Sequence, residues 1–261
     1  MGSKEWVVLE EDSGKVHLVR LVDETVKIKG LGVFNPMQIL GECEIGSEIV
    51  IGQKQLTRMT PRLPELVRGM KRRAQTISAK DAGVLITRLG IGPNDVILEA
   101  GLGSGGLSLH LARVLGDSGC LITIEARDEH AEVGLENLSR AKNCLPEFPN
   151  HHHISGDIAE ITEQITQIAP DLDGIILDLP NHTQAIDAVV NLLKQGGRIA
   201  CYCPVTSQLE RAWEACEAHG LEVEWAGELM ERQWGRASKG GMRPVNGPFG
   251  HTAFLLVAHK I

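Results

Sequence analysis

Val96-Ile-Leu-Glu-Ala-Gly-Leu-Gly-Ser-Gly-Gly106 contains the strongest structural signals in the sequence. Its apolar start, Val96 to Leu98, predicts a buried strand, and the glycines after it predict a sharp turn. Leucine and alanine residues spaced along 107–115 predict a helix with a broad apolar face. A strand, a glycine-rich turn and a helix in this order form an element that binds nucleotides.

The glycine cluster fits two kinds of ligand. Gly101, Gly103 and Gly106 satisfy G-x-G-x-x-G, the dinucleotide fingerprint. The same residues form an acid-x-G-x-G-x-G loop, in which Glu99 ends the strand; a carboxylate there repels a pyrophosphate but suits a cationic, phosphate-free ligand such as S-adenosylmethionine. Glu125 ends the next predicted strand and is placed to bind ribose hydroxyls in either case. The loop thus predicts an adenosine cofactor and favours the methyl donor over NAD.

Composition limits the class of protein and its partners. The 261 residues carry a net charge of −8, so nucleic-acid binding would need a local basic patch. No apolar run approaches the roughly 20 residues of a membrane span, and the N-terminus has no signal core. The six cysteines include no C-x-x-C pair, and the consecutive histidines 151–153 cannot all face one ion. We therefore expect a cytoplasmic protein with reduced thiols, no membrane segment and no metal.

The chain divides by pattern into three parts. Short apolar segments separated by turns predict a small β-rich domain over residues 1–60. Residues 61–80 form a basic connector, and residues 81–261 alternate strands with helices. Such alternation predicts a parallel sheet covered on both faces. Its predicted elements include a strand at Cys120–Glu125 and helices at Ile158–Ile168 and Thr183–Lys194.

A positive segment lies at the junction of the first two parts. Against one acid it contains six cations: Arg58, Arg62, Arg68, Lys71, Arg72 and Arg73. It is either a solvated linker or a contact surface for phosphates, where each neutralised phosphate adds salt-dependent affinity.

Carboxylates follow four successive predicted strands. Glu99 and Glu125 end the first two, Asp157 lies just past the third, and Asp178 ends the fourth. Asp157 by itself could cap the helix predicted from Ile158. Because the carboxyl ends of parallel strands meet at one edge, the four acids together predict a binding site there. Pro180 follows Asp178 closely and ends strand pairing, which presents this carboxylate to the cleft, where it can act as a hydrogen-bond acceptor or base; a turn-initiating Asp is the alternative.

Several blocks resemble one known family. The loop of residues 99–107 is similar to the methyl-donor loop of class I methyltransferases, specifically the tRNA (adenine-N1) methyltransferases that act on T-loop position 58 and, in archaeal members, also 57. Further similar blocks run in the expected order: Arg73-Ala-Gln-Thr-Ile-Ser-Ala-Lys-Asp81, Ile176-Leu-Asp-Leu-Pro180, Tyr202-Cys-Pro-Val-Thr-Ser-Gln208, Glu228-Leu-Met-Glu-Arg-Gln-Trp234 with Arg243-Pro244, and Gly250-His-Thr-Ala-Phe-Leu255.

The resemblance implies a fold, a cofactor and a set of site residues. It implies an α/β, Rossmann-like seven-stranded sheet over residues 81–261, a small N-terminal β-rich domain and a homotetramer. Asp178 matches the catalytic aspartate, and Tyr202 matches an aromatic residue of the target-base pocket. S-adenosylmethionine would be held by Glu125 at the ribose, by Asp157 at the adenine, and by residues near its methionine end: Gln75, Glu99, Gly101, Gly103, Ser104, Gly105, Gly106, Leu107 and Asp178.

The RNA side of the site is predicted from charge and from two departures. The candidates for contact with tRNA phosphates are Arg72, Arg73, Arg232, Arg236, Lys239 and Arg243. The family continues its aspartate motif with a second Pro and an aromatic residue, where this chain has Asn181-His182; His182 is therefore a candidate for stacking on the base. The family's Tyr-Pro-Lys-Asp is here Ser78-Ala-Lys-Asp81.

The predicted function is S-adenosylmethionine-dependent methylation of N1 of a T-loop adenine in tRNA. A class I methyltransferase with another substrate, and a donor-binding but non-catalytic tRNA-binding subunit, are the alternatives. An NAD-dependent oxidoreductase is disfavoured, since nothing in the chain supplies a dehydrogenase acid/base pair.

Overall fold

The computed structural model describes residues 6–238, 240–245 and 250–261. Its N-terminal part is a four-stranded antiparallel sheet of order β2-β1-β6-β5, with a separate hairpin of β3 and β4. Leu9, Leu40 and Leu56 are fully buried in its own small core. The elements are β1 (Trp6–Glu11), β2 (Val16–Arg20), β3 (Val26–Ile28), β4 (Gly32–Phe34), α1 (Pro36–Leu40), β5 (Glu48–Ile51) and β6 (Lys54–Met59).

The remainder contains a seven-stranded sheet of order β12-β15-β11-β10-β7-β8-β9, which confirms the predicted fold class. Of these seven strands, β15 is antiparallel to both its neighbours, and the other pairs are parallel. The elements are α2 (Leu63–Gly69), α3 (Ala79–Leu89), β7 (Val96–Ala100), α4 (Gly106–Leu115), β8 (Cys120–Glu125), α5 (Asp128–Cys144), β9 (Asn150–Ser155), α6 (Thr162–Ile168), β10 (Leu172–Leu177), α7 (His182–Val189), β11 (Leu193–Cys203), α8 (Thr206–Ala218), β12 (Leu221–Gly227), β13 (Trp234–Arg236), β14 (Met242–Pro244) and β15 (Phe254–Lys260).

Apolar side chains alternate across the central strands and build a core on each face of the sheet. Leu98 and Ile175 point into one core, while Ile97 and Ile176 point into the other. Strands buried on both faces are the reason that β7 and β10 read as continuous apolar runs. Because β7, β8, β9 and β10 run in one direction, their carboxyl ends lie along a single edge of the sheet.

Two predicted helices have different limits in the structure. The helix predicted from Ile158 begins at Thr162, because the Asp157 carboxylate accepts a hydrogen bond from the Ala159 amide (3.0 Å) and forms a local turn instead of a helix cap. The helix predicted to reach Lys194 ends at Val189 and is followed by a 3-10 turn and β11. Buried Leu193 continues the apolar spacing beyond the end of the helix, so periodicity alone could not locate that end.

Asn137 joins the connector to the glycine loop. Its side chain is 3% exposed and donates hydrogen bonds to the carbonyls of Lys71 (2.8 Å) and Ser104 (2.9 Å). It also accepts one from the Lys71 amide (3.0 Å). A buried amide with these partners holds residues 71–74 against the start of α4.

No described helix is long and apolar enough to span a bilayer.

Candidate active site

The glycine loop is shaped by its close approach to the end of β10. Gly101 has φ +96°, and a Cβ on this residue would lie 2.2 Å from the Asp178 carbonyl oxygen. The Asp178 amide also donates to the Ala100 carbonyl (2.8 Å). Glycine is therefore required here by both conformation and space, and it brings β7 and Asp178 to one point.

Glu99 lies inside this edge of the sheet. The side chain is 2% exposed, and the Ser108 hydroxyl donates a 2.5 Å hydrogen bond to its carboxylate. Burial raises the pKa of Glu99 to about 8, and the negative charge of Asp178 contributes to the shift. The carboxyl group is thus mostly protonated at neutral pH until a cation approaches it.

Glu125, at the end of β8, is held in its ionised form. Its carboxylate accepts hydrogen bonds from the Gly103 amide (2.9 Å) and from Nε of Arg127 (2.9 Å). Burial by itself would raise the pKa of Glu125, but the hydrogen bonds from Arg127 and Gly103 lower it overall. A fixed carboxylate at the second strand end is what binding of ribose hydroxyls requires.

Asp178 lies between two neighbouring cavities of about 330 and 370 Å³ and lines both. Burial raises the pKa of Asp178 to about 6; the charge of Glu125 adds to this, and Arg127 opposes it. A carboxylate with this pKa is largely ionised at neutral pH and can accept a hydrogen bond from a ligand in either cavity.

Most of the predicted cofactor-binding and catalytic residues line one or both of the two cavities. The first is lined by Gln75, Glu99, Gly101, Gly103, Ser104, Gly106, Leu107, Asp178 and Tyr202. The second is lined by Glu125, Asp157, Gly101 and Asp178. Gly105 lines neither; it precedes α4 in the left-handed conformation. Among the described residues lining the two cavities, four are acidic and one, Arg127, is a Lys or Arg.

Tyr202 forms part of the wall of the first cavity and is 7% exposed. Burial, with the nearby charges of Asp81 and Asp178, raises the pKa of Tyr202 to about 12, so the hydroxyl stays protonated. Thr252, whose hydroxyl accepts from the Lys80 ammonium (2.8 Å), partly opposes this rise in the pKa of Tyr202.

Lys80, Asp81 and Thr252 form a network beside Tyr202, and none of the three is a predicted site residue. The Lys80 ammonium donates to the fully buried Asp81 carboxylate (2.6 Å), which also accepts from the Ser78 hydroxyl (2.9 Å). Ser78 is the N-cap of α3. The departure at Ser78 therefore has a local role, and the sequence signal that indicates the network is the Lys80-Asp81 pair two residues after it.

His182 does not lie where base stacking would require it. The ring is 2% exposed at the start of α7, packed 3.9 Å from the Cys203 sulfur, and it lines neither cavity. Burial lowers the pKa of His182 and favours the neutral ring. The structure thus corrects its predicted contact with RNA, because the buried ring packs against Cys203 at the end of β11 and is not accessible to a base.

The predicted phosphate-binding arginines are exposed on separate elements. Arg72 and Arg73 lie in the connector, where Arg73 pairs with Glu129 (3.4 Å). Arg236 and Arg243 belong to the hairpin of β13 and β14, and Arg232 precedes it. Lys239 lies outside the described residues.

Among the residues that the structure describes, no cluster of His, Cys, Asp and Glu could hold a metal ion.

Comparison with known proteins decides the family. Residues 54–239 match the family "tRNA methyltransferase complex GCD14 subunit". A Methanocaldococcus jannaschii protein named tRNA (adenine(57)-N(1)/adenine(58)-N(1))-methyltransferase TrmI is 30% identical over 217 residues, which cover 76% of each chain. The chain belongs to this family. A Thermus thermophilus tRNA (adenine(58)-N(1))-methyltransferase TrmI is 31% identical over 207 residues, covering 79% of this chain and 78% of the relative.

Solved structures place this GCD14-family chain among class I methyltransferases. A SAM-dependent O-methyltransferase from Thermotoga maritima superposes with a TM-score of 0.79 and 26% identity, covering 100% of this chain and 94% of the other. These comparisons confirm the family predicted from the donor loop and the later blocks.

The site of this GCD14-family chain fits the methyl donor better than a dinucleotide. A pyrophosphate in these cavities would lie among Glu99, Glu125, Asp157 and Asp178, opposed by Arg127. A sulfonium and an ammonium group would instead be stabilised by the same carboxylates.

Proposed function

We propose that this protein transfers a methyl group from S-adenosylmethionine to N1 of a T-loop adenine in tRNA, at position 58 or 57. The observation that supports this most is the position of Asp178, which lines both cavities and is largely ionised at neutral pH. The activities after which the two TrmI relatives are named support the same substrate.

The cofactor would lie across both cavities. The loop residues Gly101, Gly103, Ser104, Gly106 and Leu107 would hold its methionine end, with Gln75 and Glu99 beside them. In the second cavity, Glu125 would bind the ribose hydroxyls and Asp157 the adenine edge. Gly105 would act indirectly, by starting α4 at the required angle.

The reaction needs the neutral adenine ring beside a positively charged methyl donor. When bound, S-adenosylmethionine supplies the methyl group on a positively charged sulfur. The Asp178 carboxylate would accept a hydrogen bond from the exocyclic N6 of adenine, which raises electron density at N1 and stabilises the cationic product. Tyr202 would form a wall of the base pocket. The adenine must leave its stack to reach this pocket, which costs a few kcal/mol.

Binding of the cofactor is expected to strengthen with rising pH through the titration of Glu99. The pKa of Glu99 is raised to about 8, so below that pH a cationic ligand must first displace its proton. We expect the Kd for S-adenosylmethionine to fall about fivefold between pH 7 and pH 8 and about twofold more by pH 9, as the ionised fraction of Glu99 rises. Calorimetry over pH 6.5–9 measures this.

Glu99→Gln is the matched control for that titration, because it keeps an acceptor for Ser108 and removes the ionisation. The amine of the ligand titrates equally with both proteins. Identical pH profiles for the variant and the wild type would contradict the assignment of the charge to Glu99.

The test of the proposed function is nucleoside analysis of unmodified tRNA transcript after incubation with the pure protein and S-adenosylmethionine. We expect 1-methyladenosine, lost when T-loop adenines 57 and 58 are replaced. Transfer to small hydroxyl compounds and not to tRNA would favour the class I alternative with another substrate. A pure protein that binds donor and tRNA but is active only with added cell extract would favour the non-catalytic subunit. Stabilisation by NAD instead of S-adenosylmethionine would favour an oxidoreductase.

We further propose that the protein acts as a homotetramer in the cytoplasm. Family resemblance supports the tetramer, and the tRNA substrate supports the location. Mass determination in solution tests the tetramer, and fractionation of cells tests the location.

A further inference from the structure

A second concave surface lies between the N-terminal sheet and the connector. This groove has a volume of about 970 Å³. One wall is formed by β2 and the β3 region, and the other by residues 68–73 with α5. It does not share a lining residue with either cavity of the active site.

The charge of this groove is opposite to that of the whole chain. Nine of its 21 lining residues are Lys or Arg, and one, Glu24, is acidic. The protein as a whole carries a net charge of −8. So dense a cluster of cations in an acidic protein creates a local positive potential that attracts a polyanion.

Four of the cations are available to a ligand. Lys15, Lys27, Lys29 and Arg72 are exposed, and among the described residues they have no ion-pair partner. The others in the connector are partly neutralised: Arg68 pairs with Glu10 (2.6 Å), Lys71 with Glu136 (2.6 Å) and Arg73 with Glu129 (3.4 Å). Three of the four available cations therefore lie on the N-terminal part, outside the segment that the sequence had marked as positive.

The groove leads to the active site along the backbone. Arg72 and Arg73 line the groove, whereas Ala74 and Gln75 line the first cavity. The amides of Arg73 and Ala74 both donate to the Ser104 hydroxyl (3.0 Å each), which fixes this segment on the glycine loop. The segment from Arg73 to Gln75 spans at most about 10 Å, so the groove ends close to the first cavity. An RNA chain bound in the groove can therefore place a further nucleotide in that cavity.

We propose that this groove binds the phosphodiester backbone of the substrate RNA, on nucleotides other than the methylated one. The inference rests on the proposed function and adds a binding site to it. Charge separation supports it: carboxylates line the cavities that would take the cationic cofactor, and cations line the groove beside them. An acidic protein segment offers the same charge but gives no reason for continuity with a base pocket.

The test compares two triple variants that remove the same charge. The triple variant Lys15→Gln/Lys27→Gln/Lys29→Gln removes three lysines from the side of the groove that the N-terminal part forms. The control, Arg113→Gln/Lys142→Gln/Arg211→Gln, removes three exposed cations that do not line the groove. Binding of an unmodified tRNA transcript and of poly-glutamate is measured between 50 and 200 mM salt, together with KM for tRNA and for S-adenosylmethionine.

We expect the groove variant to bind the transcript about tenfold more weakly than the control at low salt. Its slope of log K against log salt should be smaller in magnitude by about 2, since each lost phosphate contact removes about 0.7–0.9. KM for tRNA should rise, while kcat and KM for S-adenosylmethionine should match the control.

Equal affinity and equal salt slope for the two triple variants would overturn the proposal. So would a groove variant that loses binding of poly-glutamate but keeps that of the transcript, since this would assign the groove to an acidic protein. If the wild type binds the transcript through the groove but transfers no methyl group to any tRNA, the proposed function fails and the groove stands. If it methylates tRNA and the two variants behave alike, the groove alone fails.

Discussion

Asp178→Asn is expected to lower kcat by about 10²–10⁴-fold, the range for loss of a positioned acid–base group. The amide keeps the size of the side chain and a hydrogen-bond acceptor, but it removes the negative charge that would stabilise the methylated, cationic base. Because burial raises the pKa of Asp178, its charge disfavours the folded state at neutral pH, so removing that charge should not lower the thermal midpoint. Steady-state methylation of tRNA transcript measures the effect.

The pH profile of the wild type gives an independent measurement of the same carboxylate. Its pKa is raised to about 6, so the ionised form is lost as pH falls through 6, and kcat should fall with it. The remaining activity of Asp178→Asn should lack this acid limb. Asp187→Asn is the control, because Asp187 is 73% exposed on α7 and should leave kcat unchanged. A variant with wild-type kcat would remove Asp178 from the mechanism.

Gly101→Ala is expected to destabilise the protein by about 3–5 kcal/mol and to abolish cofactor binding. The new Cβ would lie 2.2 Å from the Asp178 carbonyl oxygen at φ +96°, so both the loop and the end of β10 must move. Denaturant unfolding and calorimetry with S-adenosylmethionine measure the two effects.

Gly103→Ala is the matched control in the same loop. At Gly103 φ is +53°, and an added Cβ would lie 3.5 Å from the Ala74 Cβ, an ordinary contact. We expect a cost of about 1 kcal/mol, from the left-handed conformation alone. Equal stability of the two variants would show that the approach to Asp178 does not constrain the loop.

Much of the α/β part could be predicted because its signals are local. The strand Cys120–Glu125 has the predicted limits, since its apolar run begins after a glycine and ends at an acid. The parallel direction of β7 to β10 brings three of the predicted acids to one edge, with Asp157 just beyond β9. These features follow from the periodicity of each segment and from the alternation of strands with helices, which predicts parallel strands.

Features that depend on distant residues could not be predicted in this way. The position of His182 after the aspartate motif predicts contact with RNA, but the folded chain buries this side chain beside Cys203 of β11. No sequence motif around Asn137 indicates its role. Its hydrogen bonds reach Lys71, 66 residues away, and Ser104, 33 residues away. In each case the burial of the side chain is decided by a partner that only folding brings close.

The order of strands and helices, the glycine loop, the acids at the strand ends and the family can all be read from the amino-acid sequence. The tertiary structure alone decided that Glu99 is buried deeply enough to hold a proton at neutral pH and that Asp178 lies between two cavities. It also decided that Lys15, Lys27 and Lys29 face the connector across one groove. The physical reason is range: backbone pattern is set by adjacent residues, whereas desolvation and electrostatic potential sum over every group nearby in space.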